Sequence, residues 1–236
     1  MAQQKQKILL FGVNGSIGSA IEQKFLNAAW DVLGVTREDI DSNTRVSWSP
    51  FDANSSPPLS RLKNEGPFDS ICWAQGQNWN DNIYSFDEQK HREIYEANVL
   101  YILKTLNILL ENEILKKPAR LCLISSIWQN ISRQNKLSYG VSKSAIHGLV
   151  LSLVNDLGSE SHLINAVLPG ALDTPMTHKN LAKEQVSAIE NSTQFGRLAN
   201  LDDVANVVYF LCSSENTGLT GQFIKIDLGY SDVRVI

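Results

Sequence analysis

The sequence predicts a single α/β domain in which helices cover both faces of a parallel sheet. Short apolar runs bounded by turn residues alternate with longer stretches whose apolar residues recur every three or four positions, which is the pattern of βαβ units. Two runs, ILLF at 8–11 and LCLI at 121–124, are continuously apolar, as is typical of strands buried on both faces. The length of 236 residues fits one such domain, and we take 1–236 as that domain.

The predicted elements follow from this alternation along the chain. The strands are 7–11, 32–35, 45–48, 70–73, 120–124, 163–168 and 222–227. The helices are 17–29, 87–115, 139–158 and 201–212. The segment 49–67 is rich in Ser, Pro and Asn and is predicted as a loop with at most a short helix. The polar stretch 176–197 lies between a strand and a helix, so we expect it to form a lid over the substrate.

Composition and charge argue against several functional classes. The net charge is −4, and no dense run of basic residues occurs, so nucleic acid is not an expected partner. No apolar run approaches the roughly 18 residues that cross a bilayer, and no cleavage site follows the first residues, so we expect a cytoplasmic protein without a membrane partner. The cysteines Cys72, Cys122 and Cys212 form no CxxC motif and the histidines lack ligand spacing, so we expect neither disulfides nor a metal.

A glycine-rich turn connects the first strand to the first helix. Gly12, Gly15 and Gly18 have GxxGxxG spacing, and Asn14, Ser16 and Ile17 lie between them. Glycines permit a tight turn and close approach to a pyrophosphate, whose charge is met by the amides at the start of the helix. The turn is therefore a candidate dinucleotide site, although a purely structural turn can also use three glycines.

The end of the second strand bears on the choice of cofactor. An acidic residue there would bind a ribose 2′-hydroxyl, whereas an arginine can pair with a 2′-phosphate. Thr36 and Arg37 occupy this position, about twenty residues after the turn, which favours NADP(H) over NAD(H). The alternative is that Arg37 is a solvated loop residue whose charge Glu38 neutralises.

Three polar residues after the fifth strand suggest acid/base chemistry. Ser126 ends the strand, Tyr139 follows thirteen residues later, and Lys143 lies four residues beyond Tyr139. On a helix, Tyr139 and Lys143 project from one face, and a neighbouring ammonium favours the phenolate. Ser126 is positioned to hydrogen-bond a substrate oxygen while Tyr139 exchanges a proton with it.

These motifs resemble those of the short-chain dehydrogenase/reductase family over nearly the whole chain. They are GVNGSIG, WAQG at 73–76, Asn98 in YEANVL, Ser126, YGVSK with Tyr139 and Lys143, LPGALDTPM, and GQFIKIDLGYS. The resemblance implies a Rossmann-like, doubly wound fold of about seven parallel strands. It also implies that Tyr139 is the acid/base, that Ser126 orients the substrate, that Lys143 binds the nicotinamide ribose and lowers the tyrosine pKa, and that Asn98 holds a helix kink and a water of the proton relay.

The same resemblance implies a set of cofactor contacts. Gly12, Asn14, Gly15 and Ile17 would line the pyrophosphate site within the turn that Ser16 and Gly18 complete, Asp52 and Ala53 would border the adenine, Ala74 and Gly76 would lie at the ribose, and Pro169, Gly170, Leu172 and Thr174 would surround the nicotinamide carboxamide. A homodimer or homotetramer is a further implication of the resemblance.

The chain departs from the family pattern at several positions. WAQG stands where NNAG is usual, Phe11 replaces a common threonine, and Asp227-Leu228-Gly229 stands where a double glycine is common. The turn spacing and LPGALDTPM also look like dihydropteridine reductase, which generally lacks the serine that is present here as Ser126. We therefore expect NADPH-dependent reduction of a small carbonyl compound, with pteridine reduction and a non-catalytic NADP(H)-binding regulator as alternatives.

Overall fold

The computed structural model describes residues 5–38, 42–52 and 55–233. Within these residues, seven strands form one parallel sheet. The strands are β1 Lys7–Phe11, β2 Asp31–Thr36, β3 Arg45–Ser47, β4 Phe68–Trp73, β5 Leu115–Ile124, β6 Leu163–Pro169 and β7 Phe223–Ile226. Their order is β3-β2-β1-β4-β5-β6-β7, so the direction of winding reverses between β1 and β4. This is the doubly wound arrangement, and it confirms the predicted fold class.

Helices cover both faces of this sheet in the described residues. They are α1 Ser16–Asn27, α2 Leu59–Glu65, α3 Glu88–Tyr95, α4 Tyr101–Glu111, α5 Leu137–Leu157, α6 Pro175–Asn180, α7 Lys183–Glu190 and α8 Leu201–Cys212. Alternate strand residues face opposite sides, so Leu9 and Phe11 pack in the hydrophobic cluster under α4 and α5, whereas Ile8 and Leu10 pack under α1 and α8. Two apolar layers therefore hold the carboxyl ends of the strands in one plane.

Two of the departures from the family pattern pack against each other at the base of the glycine turn. The rings of Phe11 and Trp73 are stacked, with centroids 5.6 Å apart and planes 5° from parallel. Both side chains are fully buried, and the indole nitrogen of Trp73 donates to Thr105 Oγ1 at 2.9 Å. An aromatic pair thus occupies the space between β1 and β4, and the backbone above it is still free to form the turn.

The single helix predicted over 87–115 is wrong in its continuity and in its end. The structure divides it into α3, a π-helical turn at Glu96–Leu100, and α4, which ends at Glu111. Glu113 has a left-handed φ of 55°, and the chain then enters β5 at Leu115 instead of at the predicted residue 120. The apolar spacing of α4 continues into Ile114 and Leu115, which are buried, so periodicity alone could not reveal the change of element.

The expectation that no segment is apolar enough to cross a membrane is also wrong on length and composition. Residues 137–160, which include α5, pass that test. A core helix of a soluble protein passes the same test, and the buried face of α5 (Ile146, Val150, Leu153 and Leu157) packs in the cluster against the sheet.

The predicted lid, 176–197, overlaps α6 and α7. Its function as a lid stays a prediction.

Candidate active site

The glycine turn leaves a cradle at the start of α1. Gly12 has a φ of +75°, and a Cβ on it would lie 2.5 Å from the Gln75 backbone nitrogen. A Cβ on Gly18 would lie 2.2 Å from the Gly12 carbonyl oxygen, so the turn closes only with glycine at both positions. Gly15 is the N-cap of α1 and no side chain caps the helix, which leaves its first amides available to an anion. The turn therefore fits a pyrophosphate.

The end of β2 is tied to this turn through Asn14. The Asn14 amide donates to Thr36 Oγ1 at 3.1 Å and to Glu38 Oε2 at 2.8 Å. Arg37 is exposed and forms no ion pair within the described part of the chain, so Glu38 binds the turn and does not neutralise Arg37. Burial raises the pKa of the Tyr101 phenol, and the nearby Arg37 guanidinium opposes this rise. Arg37 thus remains available at the ribose end of the turn.

The segment after β4 supplies a polar group that sequence reasoning missed. The Ala74 amide donates to the Phe11 carbonyl at 3.0 Å, which brings this backbone beside the turn. Both polar atoms of the Gln75 side-chain amide are buried and have no hydrogen-bond partner in the described residues. An unsatisfied amide next to the cradle fits the polar groups of a dinucleotide, since a buried polar group normally has a partner. The unusual Gln in WAQG was the only signal for it.

Ser126, Tyr139 and Lys143 come together at the carboxyl ends of β5 and β6. Ser126 is buried, and its hydroxyl donates a hydrogen bond of 3.5 Å to the Pro169 carbonyl. The Ser126 hydroxyl lies close enough to the Tyr139 phenol to lower its pKa. The Lys143 ammonium lies 5.7 Å from the centroid of the Tyr139 ring and donates to the Ile124 carbonyl at 2.9 Å. The spacing of the three residues in sequence therefore corresponds to contact in space.

Burial changes the proton affinity of both ionisable groups. It raises the pKa of the Tyr139 phenol, and the Ser126 hydroxyl opposes this rise. It lowers the pKa of the Lys143 ammonium from 10.5 to about 8. The phenol is thus protonated at neutral pH and able to act as an acid, while the lysine is held closer to neutrality than a solvated lysine.

Asn98 lies at the centre of the π-helical turn and connects it to α5. Its side-chain oxygen accepts from the Gln77 amide at 2.8 Å, and its nitrogen donates to the Gln77 carbonyl at 3.0 Å and to Ser142 Oγ at 2.9 Å. A Cβ on Gly76 would lie 2.9 Å from Asn98 Oδ1 and 3.6 Å from Lys143 Nζ. The irregular turn therefore directs Asn98 towards the lysine, as π turns often do at functional sites.

The other residues predicted to contact the cofactor differ in how far they are exposed. Gly170 packs on Asp227, where a Cβ would lie 2.8 Å from the aspartate Cβ, and its amide donates to the Ile226 carbonyl. Thr174 is buried and caps α6 by accepting from the Thr177 amide at 3.2 Å. Leu172 is buried, and Asp52 is exposed on the loop after β3. Ala53 lies outside the described residues.

Comparison with known proteins identifies the family. The sequence model described as enoyl-(acyl carrier protein) reductase matches residues 63–231, which is most of the chain. The chain belongs to the short-chain dehydrogenase/reductase family. The chain is 24% identical over 214 residues to the 3-oxoacyl-[acyl-carrier-protein] reductase FabG of Escherichia coli, covering 90% of this chain and 85% of that protein.

Solved structures agree with this assignment at the level of the fold. The ligand-free aldohexose dehydrogenase of Thermoplasma acidophilum superposes with a TM-score of 0.86 at 21% identity, over 99% of this chain and 96% of that one. The structure of ElxO with NADP bound has a TM-score of 0.79 at 20% identity, over 98% of this chain and 100% of that one. As a short-chain dehydrogenase/reductase, the chain is an oxidoreductase that works with a nicotinamide cofactor, and the glycine cradle and the Gln75 amide fit such a group.

Proposed function

We propose that this short-chain dehydrogenase/reductase reduces the carbonyl group of a small molecule with NADPH, using Tyr139 as the proton donor. The observation that carries the proposal is the contact between Ser126 and Tyr139 beside the buried ammonium of Lys143. A bound NADPH supplies the hydride. A protonated phenol at neutral pH suits reduction, because the oxygen of the carbonyl must gain a proton as the carbon is reduced.

The roles of the chain's own side chains follow from their positions. The Ser126 hydroxyl hydrogen-bonds the substrate oxygen and aligns it with the Tyr139 hydroxyl, which delivers its proton to that oxygen. The Lys143 ammonium stabilises the phenolate that results, and it does so strongly because the site is shielded from water. Asn98 lies beside Lys143, and we propose that it holds a water through which the Tyr139 phenolate regains its proton.

The preference for NADPH over NADH rests on Arg37. Its guanidinium is exposed beside the turn, and Glu38 is engaged by Asn14. An unpaired guanidinium can form a bidentate pair with a ribose 2′-phosphate. The NADP bound in one structure of ElxO and the NADPH bound in a structure of an ElxO variant agree with this choice.

The same proposal includes three broader features. Residues 176–197 would close over the substrate as a lid. Leu103 on α4 and Val141 and Leu151 on α5 are exposed apolar residues, which supports a homodimer or homotetramer through these helices. The chain carries no basic run, and we propose that it works in the cytoplasm on a small molecule without nucleic acid or membrane partners.

The test is NADPH and NADH consumption by the purified protein with a panel of carbonyl compounds. The panel holds keto sugars, 3-oxoacyl thioesters, an enoyl thioester and a quinonoid dihydropterin, and Tyr139→Phe is assayed beside the wild type. The proposal is supported if the wild type oxidises NADPH in the presence of a carbonyl compound and Tyr139→Phe does not. Activity on the dihydropterin alone would favour pteridine reduction. NADPH binding with no turnover on any member would favour the non-catalytic alternative.

A further inference from the structure

A second lysine, Lys136, also lies close to the ring of Tyr139. Its ammonium is 5.5 Å from the centroid of the Tyr139 ring, against 5.7 Å for Lys143. Lys136 is only 6% exposed although it stands just before α5, in a loop. The tyrosine is therefore close to two covered ammonium groups, and only Lys143 belongs to the acid/base set.

The partners of Lys136 are neutral. Its ammonium donates to Asn78 Oδ1 at 2.7 Å and to Asn80 Oδ1 at 2.6 Å, both on the loop after β4. An ammonium has three N–H groups, so two amide oxygens leave one donor without a partner in the described residues. No carboxylate in the described parts of the chain lies within 4.0 Å of the Lys136 ammonium. Its positive charge is thus hydrogen-bonded but has no direct counter-ion.

The charged groups around Lys136 balance its ammonium only in part. Asp81 is buried nearby and its charge attracts Lys136. Its two oxygens make their hydrogen bonds with the Ser138 amide and the Ser138 hydroxyl, not with the ammonium, and that hydroxyl also bonds His91 Nδ1. Arg133 adds a second positive charge on the same loop. Burial and then the charge of Arg133 lower the pKa of Lys136 to about 8, and Asp81 opposes the shift.

The surroundings of Arg133 connect this cationic recess with the substrate side of the site. We define the recess as Lys136, Arg133, Asn78 and Asn80. The Arg133 guanidinium lies 5.5 Å from the centroid of the Trp128 ring, and Trp128 follows Ser126 by two residues and donates its amide to the Ser126 hydroxyl at 3.3 Å. Through Trp128, the Arg133 side of the recess therefore lies next to Ser126, and Lys136 lies next to Tyr139.

A buried charge without a counter-ion lowers the stability of a protein, and a bound anion removes that cost. We propose that the cationic recess binds an anionic group of the substrate, so that the compound reduced at Tyr139 carries a carboxylate or a phosphate near its carbonyl. This inference rests on the proposed carbonyl reduction and gives it a substrate class. Lys136 then determines specificity, whereas the proton transfer stays with Tyr139.

Paired substrates test the proposal directly. The specificity constant kcat/KM is measured with NADPH for acetoacetate against its methyl ester, and for dihydroxyacetone phosphate against dihydroxyacetone. The wild type is expected to favour the anionic member of one pair, and the pair shows whether the anion is a carboxylate or a phosphate. Equal rates on both members of both pairs would overturn the proposal.

Two variants separate charge recognition from a merely structural role. Lys136→Gln is expected to lower kcat/KM for the anionic member about ten- to hundredfold, the size of a lost charge-assisted hydrogen bond, and to leave the neutral member unchanged. Asn80→Asp keeps Lys136 and its hydrogen bond but supplies a counter-ion within the recess. It is therefore expected to lower kcat/KM for the anionic member in the same way. An equal loss on both members in both variants would mean that Lys136 only holds the two loops together.

Lys5→Gln is the matched control for the loss of one positive charge. Lys5 precedes β1 at the amino ends of the strands, away from the carboxyl ends that carry the site, and its side chain is 61% exposed and paired with Asp31 at 3.1 Å. This variant is expected to keep the wild-type preference between the paired substrates. A reduced preference in Lys5→Gln would assign the effect to net charge instead of to the recess.

A failure of the proposed function can be recognised separately. If the wild type reduces no carbonyl compound, the NADPH-loaded protein is titrated with acetate and with inorganic phosphate while tryptophan fluorescence is recorded. The proposal then predicts saturable binding of one anion that weakens about tenfold or more in Lys136→Gln. No binding, or equal binding to both proteins, would contradict it.

Discussion

The two ends of the cofactor site are built in different ways. At the catalytic end, Ser126 and Lys143 are buried and hydrogen-bonded to strand or loop carbonyls, and Tyr139 lies between them. At the ribose end, Arg37 and Glu38 are exposed on the loop after β2, and one hydrogen bond from Asn14 is the link between that loop and the glycine turn. Buried hydrogen bonds therefore hold the catalytic end in place, whereas the ribose end depends on exposed side chains.

This difference separates chemistry from cofactor choice. In the proposed mechanism, buried groups with shifted pKa values carry the proton transfer, and their geometry depends on the packing of β5, β6 and α5. In the same proposal, exposed charges choose the cofactor, and water screens these charges. Changes at the catalytic end should alter kcat, and changes at the ribose end should alter cofactor affinity.

The largest effect is expected at Lys143. Lys143→Met removes the cation beside the Tyr139 phenol and should lower kcat about a hundred- to a thousandfold, the usual cost of losing an electrostatic group in a shielded site. The measurement is steady-state NADPH oxidation at saturating cofactor, with a member of the panel that the wild type reduces. A kcat within a few-fold of the wild type would show that the phenol works without this lysine.

The next largest effect is expected at Arg37. Arg37→Ala should raise the KM for NADPH about ten- to a hundredfold by removing a charge-assisted bond to the 2′-phosphate, and it should leave the KM for NADH unchanged. Arg92→Ala, which removes an exposed arginine paired with Glu88 on α3, is the control and should change neither value. Equal losses for both cofactors in Arg37→Ala would remove the assignment of NADPH.

A smaller effect concerns stability and its dependence on pH. Burying the charged Lys143 opposes folding, so cofactor-free Lys143→Met should be more stable than the wild type by about 1–3 kcal/mol at pH 7. The pKa of Lys143 falls from 10.5 in the unfolded chain to about 8 in the folded one. Between these values the unfolded chain binds more protons, so the wild type gains stability as pH rises and the difference narrows.

The check is urea unfolding of both cofactor-free proteins at pH 7 and at pH 9.5. The lost hydrogen bond to the Ile124 carbonyl is the same at both pH values, so only the titration of Lys143 changes the difference between the proteins. A difference that stays constant or widens towards pH 9.5 would mean that burial does not lower the pKa of Lys143.

Local pattern was enough to predict the sheet and the catalytic end. Continuous apolar runs mark buried strands, and the spacing of Ser126, Tyr139 and Lys143 reflects a strand end followed by one helix turn, so both were visible in the sequence. The apolar spacing did not show the break of the helix at Asn98, because a π turn leaves that spacing almost unchanged, and only the family resemblance implied a kink there. Local features therefore carry the fold class and the reacting groups.

Contacts between distant segments could not be predicted. Phe11 and Trp73 looked like separate departures, yet they form one stacked pair between β1 and β4. Glu38 looked like a counter-ion of its neighbour Arg37, but it binds Asn14 instead. Lys136 carried no motif, and only the fold brings its ammonium to Asn78 and Asn80. The ribose end and the substrate side depend on such pairs.

The most direct test of the account compares Tyr139→Phe with Arg37→Ala in two assays. The dissociation constant for NADPH is measured by fluorescence titration. The kcat is measured at saturating NADPH with a carbonyl compound that the wild type reduces. We expect Tyr139→Phe to lose at least about a hundredfold in kcat while it keeps its NADPH affinity, because only the proton donor is removed. We expect Arg37→Ala to keep kcat and lose affinity. Full turnover by Tyr139→Phe, or unchanged NADPH affinity in Arg37→Ala, would contradict the division between the two ends.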